Sequence, residues 1–219
     1  WEDYLSMAAY LKMPMDQDMV LRPRDLLLAH REVLSQCGGR EKGLRVVEIA
    51  NKFPRVEAVL ASIKEKYEYV GKTFSIVVPE KIEQIIEEGQ ALKHCLDRSD
   101  RYFERIANQE SYIVFLRRTK AMEQPYYTLE IEPDGTTRQK RTVGDNQNND
   151  YHRAEKFLKK WQAAIRPRLS QEDFERQEIS RQLRMYELES LRNDKVTVHG
   201  GIHAGELLAD ILEADLMEA

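Results

Sequence analysis

Apolar residues recur at helical spacing along most of the chain, and one central stretch alternates instead. Residues 3–13 (DYLSMAAYLKM) place Tyr4/Leu5, Ala8/Ala9 and Leu11 on one face, an amphipathic helix stopped by Pro14. Pro23 opens a second helix running to about Gln36, Cys37-Gly38-Gly39 reads as a loop, and residues 45–69 read as helical with an interruption at Pro54. Phe74 to Val78 is a short β-rich run closed by Pro79. From Glu80 the helical pattern returns, with Ile82, Ile85, Ile86, Gly89, Leu92 and Leu96 on one stripe. On a helix continuing to Leu96, Cys95 lies about 60° from Leu92 and His94 about 160° from it. Cys95 is therefore expected as a small buried hydrophobe, and His94 is left for solvent or for a site.

Tyr112 to Leu116 is apolar on both faces, as in a central strand, and ends in Arg117-Arg118. Tyr126 to Glu132 alternates, with Tyr127, Leu129 and Ile131 on one side and Thr128 and Glu130 on the other. Asp134-Gly135 predicts a two-residue hairpin turn. That turn sets Glu130 opposite Gln139 and Thr128 opposite Arg141, four polar groups on one face of the sheet. A turn-rich loop, Gly144 to Asp150, leads to a helix from Tyr151 to about Ile165 that packs Phe157, Leu158 and Trp161. Ser170, with Asp173 three residues on, caps a highly charged helix to about Arg192. Its apolar residues (Phe174, Ile179, Leu183, Tyr186, Leu191) form only a thin stripe, which predicts a solvated or partner-bridging helix. The end of the chain reads as a short strand, a Gly-Gly turn and a last amphipathic helix. The pattern predicts an α+β fold: a small, mainly antiparallel sheet (about 74–78, 112–118, 126–132 and 137–143) packed on helices 80–96 and 151–165. A helical N-terminal portion (1–70) precedes the 71–168 core, and a charged helical C-terminal extension (169–219) follows it.

Composition narrows the classes. With 42% hydrophobic and 33% charged residues among 219, the chain reads as soluble, helix-rich and globular. No apolar run approaches the length of about eighteen residues that spanning a membrane needs, so no membrane partner is expected. The first residue, Trp1, is followed by no signal-peptide pattern, and a start in mid-helix without Met reads as a piece of something longer. Two cysteines, Cys37 and Cys95, make neither a disulfide framework nor a zinc pattern, which fits a reducing cytoplasm. The net charge of −4 hides an asymmetry. Residues 90–168 carry 16 Lys+Arg against 11 Asp+Glu, whereas residues 169–219 carry 5 against 12. An anionic ligand over the middle segment is one reading, with the acidic tail folding back on it or facing another partner; an ordinary solvated surface is the other.

Several motifs occur together in order: WEDYLSMAAYLKM, VLRPRDLLLAHREVL, EEGQALKHCL with Tyr102, the strand ending in arginine, PYYTLEIE, Gln139, the Gly144–Asn146 turn and FLKKW. In these motifs roughly residues 1–163 resemble the PcfJ-like family, whose members are encoded on conjugative plasmids and related mobile elements of bacteria. The family's usual "LHHCV" is here Leu92-Lys93-His94-Cys95-Leu96, and its "TLE…Q…G…N" is Thr128-Leu129-Glu130, Gln139, Gly144 and Asn146. Lys93 stands where a second histidine is frequent, which argues against a His-His metal pair. Asp97-Arg98-Ser99-Asp100 replaces the usual glycine and tyrosine ahead of Tyr102. The resemblance implies a mobile-element setting in a bacterium and brings no settled reaction with it.

The residues leave several chemistries open. A metal nuclease needs clustered hard ligands, and only Glu130 is placed to serve, so no metal and no cofactor is expected. His199 and His203 flank a Gly200-Gly201-Ile202 turn. As base for a Cys95 nucleophile, His94 is badly placed on a helix. Neither a P-loop nor a dinucleotide-binding glycine pattern is present. Metal-free phosphodiester chemistry fits better, with His94, Glu130 and Tyr102 as catalytic candidates. Arg117 and Arg141 would clamp phosphate, and Thr128, Gln139 and Asn146 would orient the substrate. The same inventory suits an ADP-ribosyl-type transferase. Without catalysis, Arg101, Arg105, Arg117, Arg118, Lys120, Arg138, Lys140 and Arg141, interleaved with Tyr102, Tyr112, Tyr126 and Tyr127, would bind nucleic acid. A scaffold that engages a protein partner through helix 171–192 is the blandest alternative.

Overall fold

Helical periodicity in the first quarter of the chain produces four helices: α1 Glu2–Tyr10, α2 Asp18–Leu21, α3 Leu26–Gln36 and α4 Arg40–Lys52. The structure is a computed structural model that describes all residues except 1, 37–39, 146–150 and 200–202. Two units result, residues 1–56 and 57–219. In the first, Tyr4 and Met7 of α1 meet Val33 and Val47 in a small core. α1 ends before Pro14 is reached, because Lys12 adopts a left-handed conformation (φ 56°). The amides of Lys12 and Met13 then bond back to the carbonyls of Ala9 and Ala8, closing the last turn.

The second unit is built on a five-stranded antiparallel sheet in the order β1 Tyr69–Val70, β2 Phe74–Val77, β3 Tyr112–Arg118, β4 Tyr127–Ile131, β5 Thr137–Arg141. An α+β architecture is what the alternation of residues 126–132 among helical segments requires. β3 lies in the middle, which is why it is apolar on both faces: Tyr112 through Leu116 are all buried. One face packs on α5 Val56–Tyr67 and α8 Tyr151–Ile165, through the Tyr67–Tyr112 ring pair (5.6 Å), the Phe74–Phe157 pair (5.7 Å) and the buried Trp161. The other face lies under α6 Ile82–Leu92 and α7 Arg101–Ala107.

Three expectations need correction. α6 stops at Leu92, where Lys93 adopts φ 54°, ψ 46°. The amides of Lys93 and His94 bond back to Gln90 and Gly89, so helical angles do not apply past that point. The chain instead turns inward: Cys95 is exposed, the reverse of its expected burial, and His94 is buried (8% exposed), off the α6 stripe and toward a site rather than solvent. Second, the β4–β5 turn has three residues, Pro133-Asp134-Gly135, closed by Gly135 N–H donating to Glu132 O at 2.9 Å. Glu130 does face Gln139, and Thr128 does face Arg141, because one extra residue, Arg138, restores the expected register beyond Thr137. Third, α9 Gln171–Asn193, capped as expected by Ser170 and Asp173, turns its polar side inward. Its buried residues are Asp173, Ser180, Arg184 and Leu188, while Ile179, Leu183 and Tyr186 face solvent. The last helix, α10 Leu208–Asp215, is followed by Met217, which pairs with Thr137 at the start of β5. Of the strand and Gly-Gly turn expected before it, Thr197 pairs with Leu207 and the glycines lie outside the described residues.

Candidate functional site

Because side chains alternate along a strand, Thr128 and Glu130 point from β4 toward α6, and Gln139 and Arg141 join them from β5. The left-handed exit of α6 swings His94 over this patch, with its Nε2 3.0 Å from Thr128 Oγ1. A short 3-10 turn (Cys95–Asp97) leads into α7, which carries Tyr102, its hydroxyl 3.6 Å from Cys95 Sγ. His94, Tyr102, Thr128, Glu130, Gln139 and Arg141 thus line one cavity of about 30 Å³, completed by Cys95, Leu96 and Ile113. That volume admits roughly two waters. Six of the eight residues singled out from sequence meet here. Arg117 does not: it makes two bonds to the buried Glu88 carboxylate (2.7 and 2.5 Å) and lines a different concavity, about 380 Å³, with Glu87, Phe115 and Met122. Asn146 lies outside the described residues.

Glu130 is the most constrained member. It is 2% exposed and accepts hydrogen bonds from Arg105 (2.8 Å), Ser111 (2.6 Å) and Gln139 (3.2 Å). Burial pushes its pKa up, but the charges of Arg105 and Arg138 and the donated hydrogen bonds outweigh burial and hold it below the ordinary carboxylate value. A carboxylate kept ionised with its oxygens occupied stabilises positive charge; it is a poor proton donor. Tyr102 goes the other way. Burial first, and then the charge of Glu130, push its phenol well above the ordinary value, so it stays protonated and acts as a donor.

Arg105 joins this cavity to a wider ion-pair network that sequence reading did not anticipate. It also pairs with Glu187 of α9 and lies 3.4 Å from Glu110. Arg138, the extra residue of β5, donates to Glu132 (2.6 Å) and Glu110 (2.9 Å), and Arg184 donates to the same Glu132 (2.8 Å). Arg141 is bound by Asp215 at the end of α10 (2.5 Å). One signal was available in the sequence. Glu88 sits between Ile85 and Leu92 beside the apolar stripe of α6, where a carboxylate needs a buried cation. The long-range partners Arg105–Glu187 and Arg141–Asp215 leave no such local trace.

Of the proposed basic and aromatic interface, Arg105, Arg117, Arg138 and Lys140 are buried, as are Tyr112, Tyr126 and Tyr127. Those residues do not form an open strip in this state. A wider concavity, about 780 Å³, is open to solvent beside His152, Lys156, Lys159 and Leu216. His152 lies 3.5 Å from Glu155 there, but that imidazole is exposed, whereas the cavity at His94 joins buried groups from several elements and is the better candidate on chemistry. Among the described residues no three His, Cys, Asp or Glu side chains converge as metal ligands. His203 pairs with Glu206 at 3.2 Å.

Fold and cavity together define a class: an α+β protein whose antiparallel sheet carries a small histidine- and arginine-lined cleft backed by a clamped carboxylate. The chain belongs to the PcfJ-like protein family, whose family model matches residues 1–155. It is also similar to an uncharacterized protein of Listeria innocua, 22% identical over 164 residues, or 75% of this chain. The chain spans about a third (34%) of the length of that relative. No solved structure matches it. No described helix is long and apolar enough to cross a membrane.

Proposed function

We propose that this is a mobile-element-associated protein of the bacterial cytoplasm that acts on nucleic acid, with the His94 cavity as a metal-independent phosphodiester-cleaving site. The observation that carries the reading is the joining of His94, Thr128, Tyr102, Gln139 and Arg141 around one cavity. Each group has a role in such chemistry. His94 is the proton-transfer group, since an imidazole ring can accept a proton at one nitrogen and donate one, and its Nε2 lies at the cleft 3.0 Å from Thr128 Oγ1. Arg141 supplies charge to a phosphoryl oxygen, and Tyr102 and Gln139 supply hydrogen-bond donors. Glu130 moves no proton in this scheme; it holds Gln139 and Arg105 in place. Arg117, tied to Glu88, has no part in it.

The test is cleavage and binding of labelled single-stranded RNA and DNA by the wild type and His94→Ala, with and without EDTA. Cleavage that persists in EDTA and is lost in His94→Ala, with binding kept, is the expected result. Binding without cleavage in the wild type would leave a non-enzymatic nucleic-acid binder. Neither cleavage nor binding would leave the scaffold reading, which the solvent-facing Ile179, Leu183 and Tyr186 of α9 favour as contacts for a protein partner.

A further inference from the structure

The acidic C-terminal segment lies over the basic centre of the second unit, and it meets that centre at a few defined carboxylates. Glu187 of α9 pairs with Arg101 and Arg105, and Asp215 at the end of α10 pairs with Arg141. Lys140 donates to the backbone carbonyl of the same Asp215 at 2.8 Å. A second cavity, about 20 Å³, lies between α9, α10 and β5, where Glu187 and Arg105 meet Gln139. Gln139 lines the His94 cavity as well, so the two spaces adjoin through one side chain. We infer that Arg101, Arg105, Lys140 and Arg141 form a binding surface for the phosphodiester backbone of single-stranded nucleic acid, and that Glu187 and Asp215 occupy the phosphate positions until the ligand displaces them.

The proposal rests on the reading that this protein acts on nucleic acid, and names how the substrate strand reaches the His94 cavity. The chemistry of exchange is balanced: a guanidinium that holds a carboxylate by charge-assisted bonds holds a phosphate in the same way. α9 is also suited to yield. Its inward side is mostly polar, with Asp173, Ser180 and Arg184 buried, so loosening it exposes little apolar surface. Losing Glu187 does not orphan Arg105, which keeps Glu130 at 2.8 Å and Glu110 at 3.4 Å. Two of the arginines, Arg105 and Arg141, also touch or line the candidate site, so a backbone seated there runs past His94.

The test uses the full chain. Binding of one labelled single-stranded RNA, and of DNA of the same sequence, is measured at several salt concentrations for the wild type and the double variant Glu187→Gln/Asp215→Asn, after thermal melts show that both are folded. The expected result is at least tenfold tighter binding by the variant. Its slope of log affinity against log salt should be steeper by about 1.4, the value for two added phosphate contacts on a single strand. Equal affinity and equal slope, with clear binding by both, overturns the inference and leaves the nucleic-acid reading standing; weaker binding by the variant also overturns it. No binding by either protein at low salt overturns both. Independently, hydrogen exchange on the wild type should show residues 183–191 losing protection when the oligonucleotide is added, and a gain of protection there would contradict displacement.

Discussion

At the scale of single residues, two buried carboxylates, Glu130 and Asp215, carry opposite signs of pH dependence. Glu130 sits below the ordinary carboxylate value, so its contribution to stability is present above its unfolded pKa of about 4.5 and is lost as pH falls through the lower folded value. Replacing it with Gln leaves Arg105 buried beside a neutral amide. Glu130→Gln is therefore expected to cost about 3–5 kcal/mol at pH 7, the range for breaking a buried ion pair, and the penalty should shrink on acidification. Asp215 sits above its ordinary value of 3.8, because burial outweighs the attraction of Arg141 and Lys140. For an acid shifted upward, the ionised folded form is penalised above the folded pKa, and the penalty vanishes below the unfolded one. Asp215→Asn should thus be neutral or stabilising at pH 7 and should lose any advantage below about pH 4. Denaturant melts of the two variants between pH 3 and 8 check both signs; parallel pH profiles for the two would refute the assignment.

At the scale of elements, the site depends on two backbone devices. Lys93 ends α6 in a left-handed conformation and so turns His94 inward. A β-branched residue is strained there and glycine is not, so Lys93→Val should destabilise by about 1–2 kcal/mol while Lys93→Gly is tolerated. Reading these variants by the chemical shift of the His94 ring separates a displaced histidine from a general loss of fold. The other device is Gly135 (φ 91°), where an added Cβ would lie 2.8 Å from Ile165 Cδ1. Gly135→Ala should cost more than Lys93→Val, because it meets both the positive φ and α8, and thermal denaturation measures the difference. The positions of α1, α3, α8 and α9, the strand periodicity and the pairing Glu130–Gln139 were legible, since they follow from local spacing, whereas α7, a short helix of seven residues, was not. The end of α6 was not, because a lysine in the left-handed region leaves no sequence mark comparable to a glycine. The length of the hairpin turn was misread because Pro133 also joins it, and the extra Arg138 cancelled the error.

At the scale of the whole molecule, the asymmetry of charge visible in the sequence resolves into contact: the acidic end folds back on the basic centre through Glu187 and Asp215. α9 is held by ion pairs and hydrogen bonds while Ile179, Leu183 and Tyr186 point outward, so its docking should weaken with salt in a way that the apolar sheet does not. Hydrogen exchange in low and high salt is expected to show α9 opening faster at high salt and β3 unchanged. Equal sensitivity of both elements would mean that α9 opens only with the whole unit.

The sequence by itself determined the α+β class, the antiparallel pairing of β4 with β5, the capped charged helix and the small set of residues carrying chemistry. These follow from periodicity, turn formers and caps, which act over a few residues. Only the tertiary structure decided which polar groups are free to act. It clamped Glu130 with Arg105 and Ser111, withdrew Arg117 to Glu88, and turned the polar side of α9 inward. Those outcomes depend on partners far apart in the chain, because a buried charge must be met by whichever opposite charge the fold brings near.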